Sequence, residues 1–208
     1  MGFRCGIVGL PNVGKSTLFN ALTENAAAQA ANYPFCTIEP NTGEVAVPDA
    51  RMQKLAAIAG SKEIIPTRIS FVDIAGLVRG ASKGEGLGNK FLANIREVDA
   101  VVHVLRCFED DDITHVEGRI NPVGDAETIE TELMLADLES LERRVEQTRK
   151  RAKTNDKESV AQLPVMEAVI KLLNDGKPAR ILLKTLAADD IEILKALNLL
   201  TSHPVLYV

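Results

Sequence analysis

Short apolar runs separated by polar, glycine-rich segments dominate the first half of the chain. Each run suits a buried strand of a parallel sheet and is too short for a buried helix. Between runs, apolar positions three or four residues apart predict helices instead. The predicted strands are Cys5 to Val8, Glu44 to Val47, Ile69 to Val72, Ala100 to Leu105 and His203 to Val208. This alternation favours an α/β fold, a mostly parallel sheet with helices on both faces.

A second pattern begins near Asn121, beyond which the chain is charged and its apolar residues recur at helical spacing. Two such series predict antiparallel helices that share one apolar seam. They are Met134, Leu138, Leu141 and Val145, followed by Val160, Leu163, Met166, Ile170 and Leu173. Pro164 fits the first turn of the second helix, where proline is tolerated. A further helix is expected from Ala188 to Leu200.

The turn after the first predicted strand carries a phosphate-binding pattern. Gly9 to Thr17 matches G-x-x-x-x-G-K-[ST] and lies between a strand and a helix, as this motif requires. Backbone N–H groups at such a helix N-terminus point at an anion. The expected phosphate-binding residues are Asn12, Val13, Gly14, Lys15, Ser16 and Thr17. Lys15 is expected to reach the β- and γ-phosphates, and the Ser16 hydroxyl to bind Mg²⁺.

A second phosphate-facing segment is predicted where the strand Ile69 to Val72 ends in the D-x-x-G sequence Asp73 to Gly76. Alone, D-x-x-G is most often a turn, but together with a P-loop it favours nucleotide binding. Asp73 is expected to hold Mg²⁺ through a water, and the Gly76 N–H to bond the γ-phosphate. Thr37, in the irregular stretch between the motifs, is either a further Mg²⁺ ligand or a solvated loop residue.

Composition narrows the class of protein. The chain has 208 residues, 46% hydrophobic and 25% charged, which is enough for one sizeable core plus an excursion. Its formal net charge of -5 gives no overall reason to bind nucleic acid or an anionic membrane. The sequence has no apolar stretch of membrane-spanning length, and its 3 cysteines lack metal-type spacing. We therefore expect a cytoplasmic protein with free thiols and no membrane partner.

Three segments of the chain together carry a family resemblance: Gly9 to Thr17, Tyr33 to Gly43 and Asp73 to Gly88. They resemble the Obg family of P-loop GTPases. Within it, Phe35 to Asn41 and Arg106 to Asp110 are most similar to the YchF branch, also called Obg-like ATPases. The resemblance extends over essentially the whole chain. It implies a P-loop domain of the G-domain type with an inserted coiled-coil hairpin, a preference for ATP over GTP, and ribosome association.

Two departures from the family pattern bear on function. Neither an N-K-x-D base-reading motif nor the altered N-x-x-E of the YchF branch follows a strand end in this sequence. The sequence stops at Val208, where that motif and the TGS domain of the branch would follow, so we expect a truncated chain. The ATP preference rests on the resemblance alone. A GTP-binding switch of the Obg type and a truncated nucleotide-binding module without turnover remain open alternatives.

Hydrolysis needs a group that orients the attacking water. Many GTPases place a glutamine directly after the D-x-x-G glycine, but Leu77 occupies this position and cannot do so. His115, in an acidic loop, is the best local candidate, because a neutral imidazole accepts a proton near pH 7. The alternative is a surface histidine without a catalytic role. In members of the YchF branch, a histidine in this loop has the catalytic role. The resemblance therefore implies that His115 is a catalytic residue, together with Lys15.

Two further features have a functional and a structural interpretation. P-loop hydrolases with the sequence Asn-Val-Gly-Lys-Ser often use this asparagine to help hold K⁺ beside the phosphates, which is one interpretation of Asn12; otherwise Asn12 only shapes the turn. A basic cluster between the two predicted helices either contacts ribosomal RNA phosphates or is a solvated helix face with ion pairs. Its members are Arg143, Arg144, Arg149, Lys150, Arg151, Lys153 and Lys157.

These predictions combine into one domain organisation. Residues 1–122 are the first part of a P-loop nucleotide-binding domain, residues 123–202 an inserted helical hairpin, and residues 203–208 the returning strand. The expected function is Mg²⁺-dependent binding and slow hydrolysis of ATP. The loops around Thr37 and after Asp73 are expected to respond to the γ-phosphate.

Overall fold

The computed structural model describes residues 2–24, 40–74, 76, 87–110, 112–116 and 118–208. The strands are β1 (Phe3–Val8), β2 (Asn41–Ala46), β3 (Arg68–Asp73), β4 (Ala100–His103) and β5 (Val205–Tyr207). The α-helices are α1 (Lys15–Thr23), α2 (Ala50–Ala59), α3 (Leu87–Arg96), α4 (Pro122–Ala152), α5 (Lys157–Asn174) and α6 (Ala188–Ala196). Two short 3₁₀ helices, Ala179–Lys184 and Leu200–Ser202, flank α6.

The five described strands form one mixed sheet in the order β2-β3-β1-β4-β5. The pairs β1–β3, β1–β4 and β4–β5 are parallel, whereas β2 runs antiparallel to β3 at one edge. The predicted α/β fold with a mostly parallel sheet is therefore confirmed. Ile7 lies opposite Asp73 and Val8 opposite His103, so the carboxyl ends of three strands meet at one edge. Ligands of open α/β sheets bind at this edge.

The long helix α4 belongs to two hydrophobic clusters. Ile129 and Leu133 pack in the cluster that contains the sheet, whereas Leu141 and Val145 pack with α5. Close packing of one continuous helix into both clusters ties the sheet to the hairpin. The domain division at residues 122 and 123 stays a prediction, and the core of the sheet extends into the first half of α4.

The hairpin differs from the sequence expectation at two positions. The predicted seam residues Leu141, Met166 and Leu173 are buried, but Val160 is 49% exposed. Pro164 lies inside α5 rather than in its first turn, so that expectation was wrong. The reason is that α5 begins earlier, where the Asp156 side chain accepts a hydrogen bond from the Ser159 backbone N–H at 3.1 Å.

Two predicted elements end early. β4 stops at His103 instead of Leu105, although the Leu105 N–H still bonds the Val208 carbonyl oxygen at 2.9 Å. α6 stops at Ala196 instead of Leu200, because Asn198 takes a left-handed conformation with φ 52°. Neither change alters the order of the elements around the carboxyl edge of the sheet.

Candidate functional site

The loop between β1 and α1 turns on two residues in the left-handed region. Asn12 has φ 61° and Gly14, at the N-terminal cap of α1, has φ 101°. Glycine adopts this conformation without strain, and asparagine tolerates it better than most residues. Gly9 is required for another reason, since a Cβ there would lie 2.5 Å from the Val104 carbonyl oxygen. The motif glycines therefore serve the backbone path of the loop.

Lys15 lies at the start of α1 with only 8% of its surface exposed. Its Nζ donates a hydrogen bond to the Leu10 carbonyl oxygen at 2.8 Å, so the ammonium group is held within the loop. Burial lowers the pKa of Lys15 to about 8, while the charge of Asp73 opposes that shift. A cation held at a helix N-terminus and poorly hydrated is suited to bind an anion.

Ser16 and Asp73 meet across the two neighbouring strand ends. The Ser16 hydroxyl donates a hydrogen bond to Asp73 Oδ2 at 2.7 Å, and Asp73 is 1% exposed. Burial raises the pKa of Asp73, while the Ser16 hydrogen bond and the charge of Lys15 lower it. The parallel register of β1 and β3 brings the two motifs together at the sheet edge, while the Mg²⁺ roles expected for Ser16 and Asp73 stay predictions.

Gly76 packs directly against the P-loop. A Cβ at this position would lie 2.9 Å from the Pro11 backbone nitrogen and 3.1 Å from Lys15 Nζ. Only glycine brings its backbone so close to the loop without displacing it. The D-x-x-G sequence thus lies against the P-loop at both its first residue, Asp73, and its last residue, Gly76.

A buried arginine organises the segment that follows β4. Arg106 is 2% exposed, and its guanidinium donates to the carbonyl oxygens of Phe108, Asp110 and Ile113 at 3.1, 3.0 and 2.7 Å. The Arg106 Cζ also lies 4.7 Å from the centroid of the Phe108 ring. Because a buried guanidinium must be satisfied by acceptors, these bonds fix the course of the segment that leads to His115.

His115 is buried rather than displayed on the surface. Its Nε2 lies 2.9 Å from Oδ2 of Asp125, in the first turn of α4, and both side chains are at most 5% exposed. The preceding residue, Thr114, accepts a hydrogen bond through its carbonyl oxygen from Asn12 Nδ2 at 3.2 Å. The structure therefore joins the His115 segment both to the P-loop and to α4.

The other predicted site residues have mixed positions. Val13 is buried at 4% exposure, so any contact with phosphate would come from its backbone. Thr17 is exposed, whereas the buried residues of α1 are Lys15 and Phe19. Thr37 and Leu77 lie outside the described residues, and the role expected for Thr37 stays a prediction.

Sequence reasoning missed Asp125 and Arg106. Asp125 follows Asn121-Pro122, where an acidic residue is expected simply to favour the helix N-terminus. Arg106 follows an apolar run, and arginine is rarely expected to be fully buried. Its acceptors are backbone carbonyls, which no side-chain pattern reveals. The available signal was the proximity of both residues to His115 along the chain.

The donor set fits a hard divalent cation that keeps much of its own hydration. Ser16 and Asp73 supply two oxygen atoms, which suits Mg²⁺ bound mainly through phosphate oxygens and water. In the part of the chain that the structure describes, no group of three or more His, Cys, Asp or Glu residues is arranged to hold a metal ion. A metal cage made of protein side chains alone is therefore not found among these residues.

Taken together, the glycine-shaped loop, the buried lysine and the paired serine and aspartate at the sheet edge define a P-loop nucleotide-binding domain of the G-domain type. The sequence model of a family described as "50S ribosome-binding GTPase" matches residues 4–136. The chain belongs to that family.

Curated relatives with the name "Ribosome-binding ATPase YchF" are similar over the whole chain. Those of Haemophilus influenzae, Escherichia coli O157:H7 and Bacillus subtilis are 59%, 55% and 53% identical over 208 residues, which is 100% of this chain and 56% of each relative. The chain therefore spans about half the length of the curated relatives it matches.

A solved structure described as "Structure of the Schizosaccharomyces pombe YchF GTPase" is also similar. It matches with a TM-score of 0.73 and 39% identity, over 99% of this chain and 56% of that chain. Among the described residues, no helix is both long and apolar enough to cross a membrane.

Proposed function

We propose that this chain is the nucleotide-binding part of a ribosome-associated P-loop hydrolase that binds Mg²⁺ and ATP and hydrolyses ATP slowly. The observation that carries the proposal is the 2.7 Å contact between Ser16 Oγ and Asp73 Oδ2, beside the buried ammonium of Lys15. These groups are the parts that hold a metal-bound triphosphate in P-loop enzymes.

The binding step uses groups that are already in place. The Lys15 ammonium, now bonded to the Leu10 carbonyl, would turn to the β- and γ-phosphate oxygens. Ser16 would bind Mg²⁺ directly through an oxygen lone pair and Asp73 through a water, and the Ser16 hydroxyl hydrogen would still donate to Asp73. When bound, Mg²⁺ neutralises charge on the phosphates. Gly76, where an added Cβ would lie 3.1 Å from Lys15 Nζ, would donate its N–H to the γ-phosphate.

The hydrolytic step needs a group that aligns water, and His115 is the proposed one. Its segment contacts the P-loop through the Asn12 to Thr114 hydrogen bond, which places the segment beside the phosphate-binding loop. A histidine contributes by accepting a proton or orienting water near neutral pH. Catalytic contacts often tighten only when substrate is bound, so the buried position of the ring is compatible with this role.

ATP is the proposed nucleotide, supported by the ATPase names of the bacterial relatives. The test is a calorimetric titration of the 208-residue chain with ATP and with GTP, in Mg²⁺ and K⁺. A clear preference for ATP is expected. A GTP preference would overturn the ATPase proposal in favour of a GTP-dependent switch. If the chain binds nucleotide but its turnover does not change in His115→Ala, it is instead a nucleotide-binding module.

Potassium is the second cation in this proposal, with Asn12 as its side-chain ligand. Asn12 lies in the P-loop, and its backbone has a left-handed conformation at which the loop turns. A monovalent cation there would add positive charge beside the developing negative charge without an arginine finger. Turnover in K⁺ is expected to exceed turnover in Na⁺. Equal rates in the two salts would rule this role out.

Ribosome contact is proposed through the far end of the hairpin. Of the basic residues there, Arg143 and Arg149 pair with glutamates and Arg144 bonds the Leu197 carbonyl oxygen. The other four cations are exposed, and none forms an ion pair with a described residue. We call these the hairpin tip: Lys150, Arg151, Lys153 and Lys157. Such cations suit RNA phosphates, and ribosome association would place the protein in the cytoplasm.

A further inference from the structure

We propose that Asp125 is the positioning residue for His115: it holds the imidazole by a buried hydrogen bond and fixes which ring nitrogen carries the proton. This inference rests on the proposed hydrolytic function. It is carried by the 2.9 Å contact between Asp125 Oδ2 and His115 Nε2, with side chains 4% and 5% exposed.

The carboxylate of Asp125 is not needed to cap α4. The cap is provided by Asn121, whose side chain accepts a hydrogen bond from the Gly124 backbone N–H at 3.2 Å. The Asp125 N–H in turn bonds the Asn121 carbonyl oxygen at 2.8 Å. Pro122 at the helix start has no N–H that requires a partner. The side chain of Asp125 is therefore available to His115.

Burial makes the Asp125 carboxylate unfavourable unless another group pairs with it. A carboxylate removed from water is destabilising unless it is hydrogen-bonded or paired, and Asp125 is only 3% exposed. Among the described residues, His115 is its side-chain partner. A buried carboxylate whose bond goes to a histidine of a nucleotide site is better explained by control of that histidine than by helix stability.

The chemical consequence concerns the tautomer of the ring. With Asp125 as the accepting carboxylate, Nε2 of His115 is the donor in the 2.9 Å contact and carries a proton. Nδ1 is then the basic nitrogen. Orientation of a histidine by a carboxylate is the same division of roles that is found in hydrolytic triads, where the acid holds the base and does not itself react.

The backbone of the segment is held from two other directions, and Asp125 adds a contact to the ring itself. Arg106 holds the Ile113 carbonyl at 2.7 Å, and Asn12 holds the Thr114 carbonyl at 3.2 Å. With the main chain fixed on the side that precedes His115, its side chain has few remaining degrees of freedom. The hydrogen bond to Asp125 on α4 then favours one ring position.

The test compares four variants of the 208-residue chain by ATP turnover and ATP affinity: D125N, H115A, the double variant H115A/D125N, and D137N as control. Asp137 is also buried in α4, but it bonds the N–H groups of Leu200 and Thr201. D125N is expected to lower kcat about tenfold or more, with the Kd for ATP changed less than about twofold. D137N is expected to lower thermal stability more than kcat.

The double variant separates positioning from a general structural role. If Asp125 acts through His115, D125N causes no further loss of turnover in the H115A background. Additive losses would overturn the proposal. D125E is measured as well, because it retains the carboxylate, which D125N replaces by an amide; partial recovery of turnover is expected, and no difference from D125N would contradict the proposal.

A spectroscopic measurement does not depend on turnover. Two-bond ¹H–¹⁵N correlations of the imidazole rings report the tautomer, and the chain has only 3 histidines to assign. His115 is expected with its proton on Nε2, and with a weaker preference in D125N, because an amide can both accept from and donate to this nitrogen. A proton on Nδ1 in the unmodified chain would overturn the inference. If H115A keeps full turnover, the catalytic role of His115 fails, while the tautomer still decides the role of Asp125.

Discussion

The nucleotide site and the hairpin tip carry charge in opposite ways. At the sheet edge, Lys15 and Asp73 are 8% and 1% exposed, and each is held by a short hydrogen bond. At the hairpin tip, the cations are exposed and make no ion pair with a described residue. The interaction of a buried charge with a ligand is strong and depends on the exact position of the charge. The interaction of an exposed charge is weak and screened by salt, so several such charges are needed for a large effect.

The two regions are expected to tolerate substitutions differently. The positions of the site residues at the sheet edge depend on the register of β1 and β3. A side chain elsewhere therefore cannot take over the role of one that is lost. At the tip, any cation at any of several positions contributes to the same field. We therefore expect single substitutions to have large effects in the first region and small ones in the second.

The largest expected effect is that of Lys15→Met, which keeps the apolar stem and removes the ammonium group. Loss of a buried charged partner of the phosphates should weaken ATP binding about 100-fold or more. Calorimetry with ATP and Mg²⁺ measures it. Lys150→Met is the matched control at the tip and is expected to leave the Kd unchanged. Similar losses in both variants would remove the distinction between the two regions.

The next effect is that of Asp73→Asn and Ser16→Ala, which remove the proposed metal-binding oxygens one at a time. In Mg²⁺, each is expected to weaken nucleotide binding about tenfold to 100-fold. With the metal chelated, Ser16→Ala should match the unmodified chain, because its oxygen acts on the nucleotide through the metal; Asp73→Asn also removes a charge that supports the protonated Lys15. An equal loss with and without Mg²⁺ would show that the pair serves the loop structure instead.

The meeting of the two motifs at one sheet edge was predictable, because each lies at the end of an apolar run and parallel pairing aligns these runs. Each motif is complete within a few residues, and the strand pattern supplies the rest. The same holds for the mostly parallel sheet and for the long helices after Asn121. Sequence reasoning succeeds here because local pattern and global topology agree.

The partners of His115 and Arg106 were not predictable for a different reason. Asp125 has the sequence signature of a residue near a helix start, and only the packing of α4 against the loop makes it a histidine partner. Arg106 is satisfied by carbonyl oxygens, which every residue possesses. Pro164 was misplaced because Asp156 begins α5 before it, and packing of the hairpin outweighs the helix penalty of proline.

The third prediction uses pH to sharpen the contrast. The pKa of Lys15 is lowered to about 8, so the nucleotide-free chain loses this charge above that pH. Binding of a triphosphate favours the protonated lysine, so ATP affinity should fall by up to about tenfold per pH unit above about pH 8. Calorimetry across this range tests the expectation, and an affinity that stays flat to about pH 9.5 would contradict it.

Thermal stability of the nucleotide-free chain should respond in the opposite direction. Lys15 in the unfolded chain keeps its proton up to the ordinary lysine pKa, whereas the folded chain releases it at a pKa of about 8. Between these values the unfolded state binds more protons, so the Lys15 contribution to the free energy of unfolding rises with pH. Lys15→Met should lack this contribution, which identifies Lys15 as its source.

The smallest effects are expected at the hairpin tip. Replacing Lys150, Arg151, Lys153 or Lys157 singly by Ala should weaken ribosome binding only about 1.5- to 5-fold, because exposed charges interact weakly. Replacing all four should reduce the slope of log K against log salt by about 0.7 to 0.9 for each RNA phosphate that is no longer neutralised.

The matched control for the tip replaces Arg143 and Arg149, whose charges are already paired with glutamates. Because these arginines are engaged within the hairpin, their removal should change the salt slope less than the removal of two tip cations. Ribosome co-sedimentation over a range of salt concentrations, with ATP turnover of the free chain as a second measurement, checks both sets. Turnover should stay the same in all these variants. If the paired arginines change the slope as much as the tip does, ribosome contact depends on the overall charge of the hairpin rather than on the four tip cations.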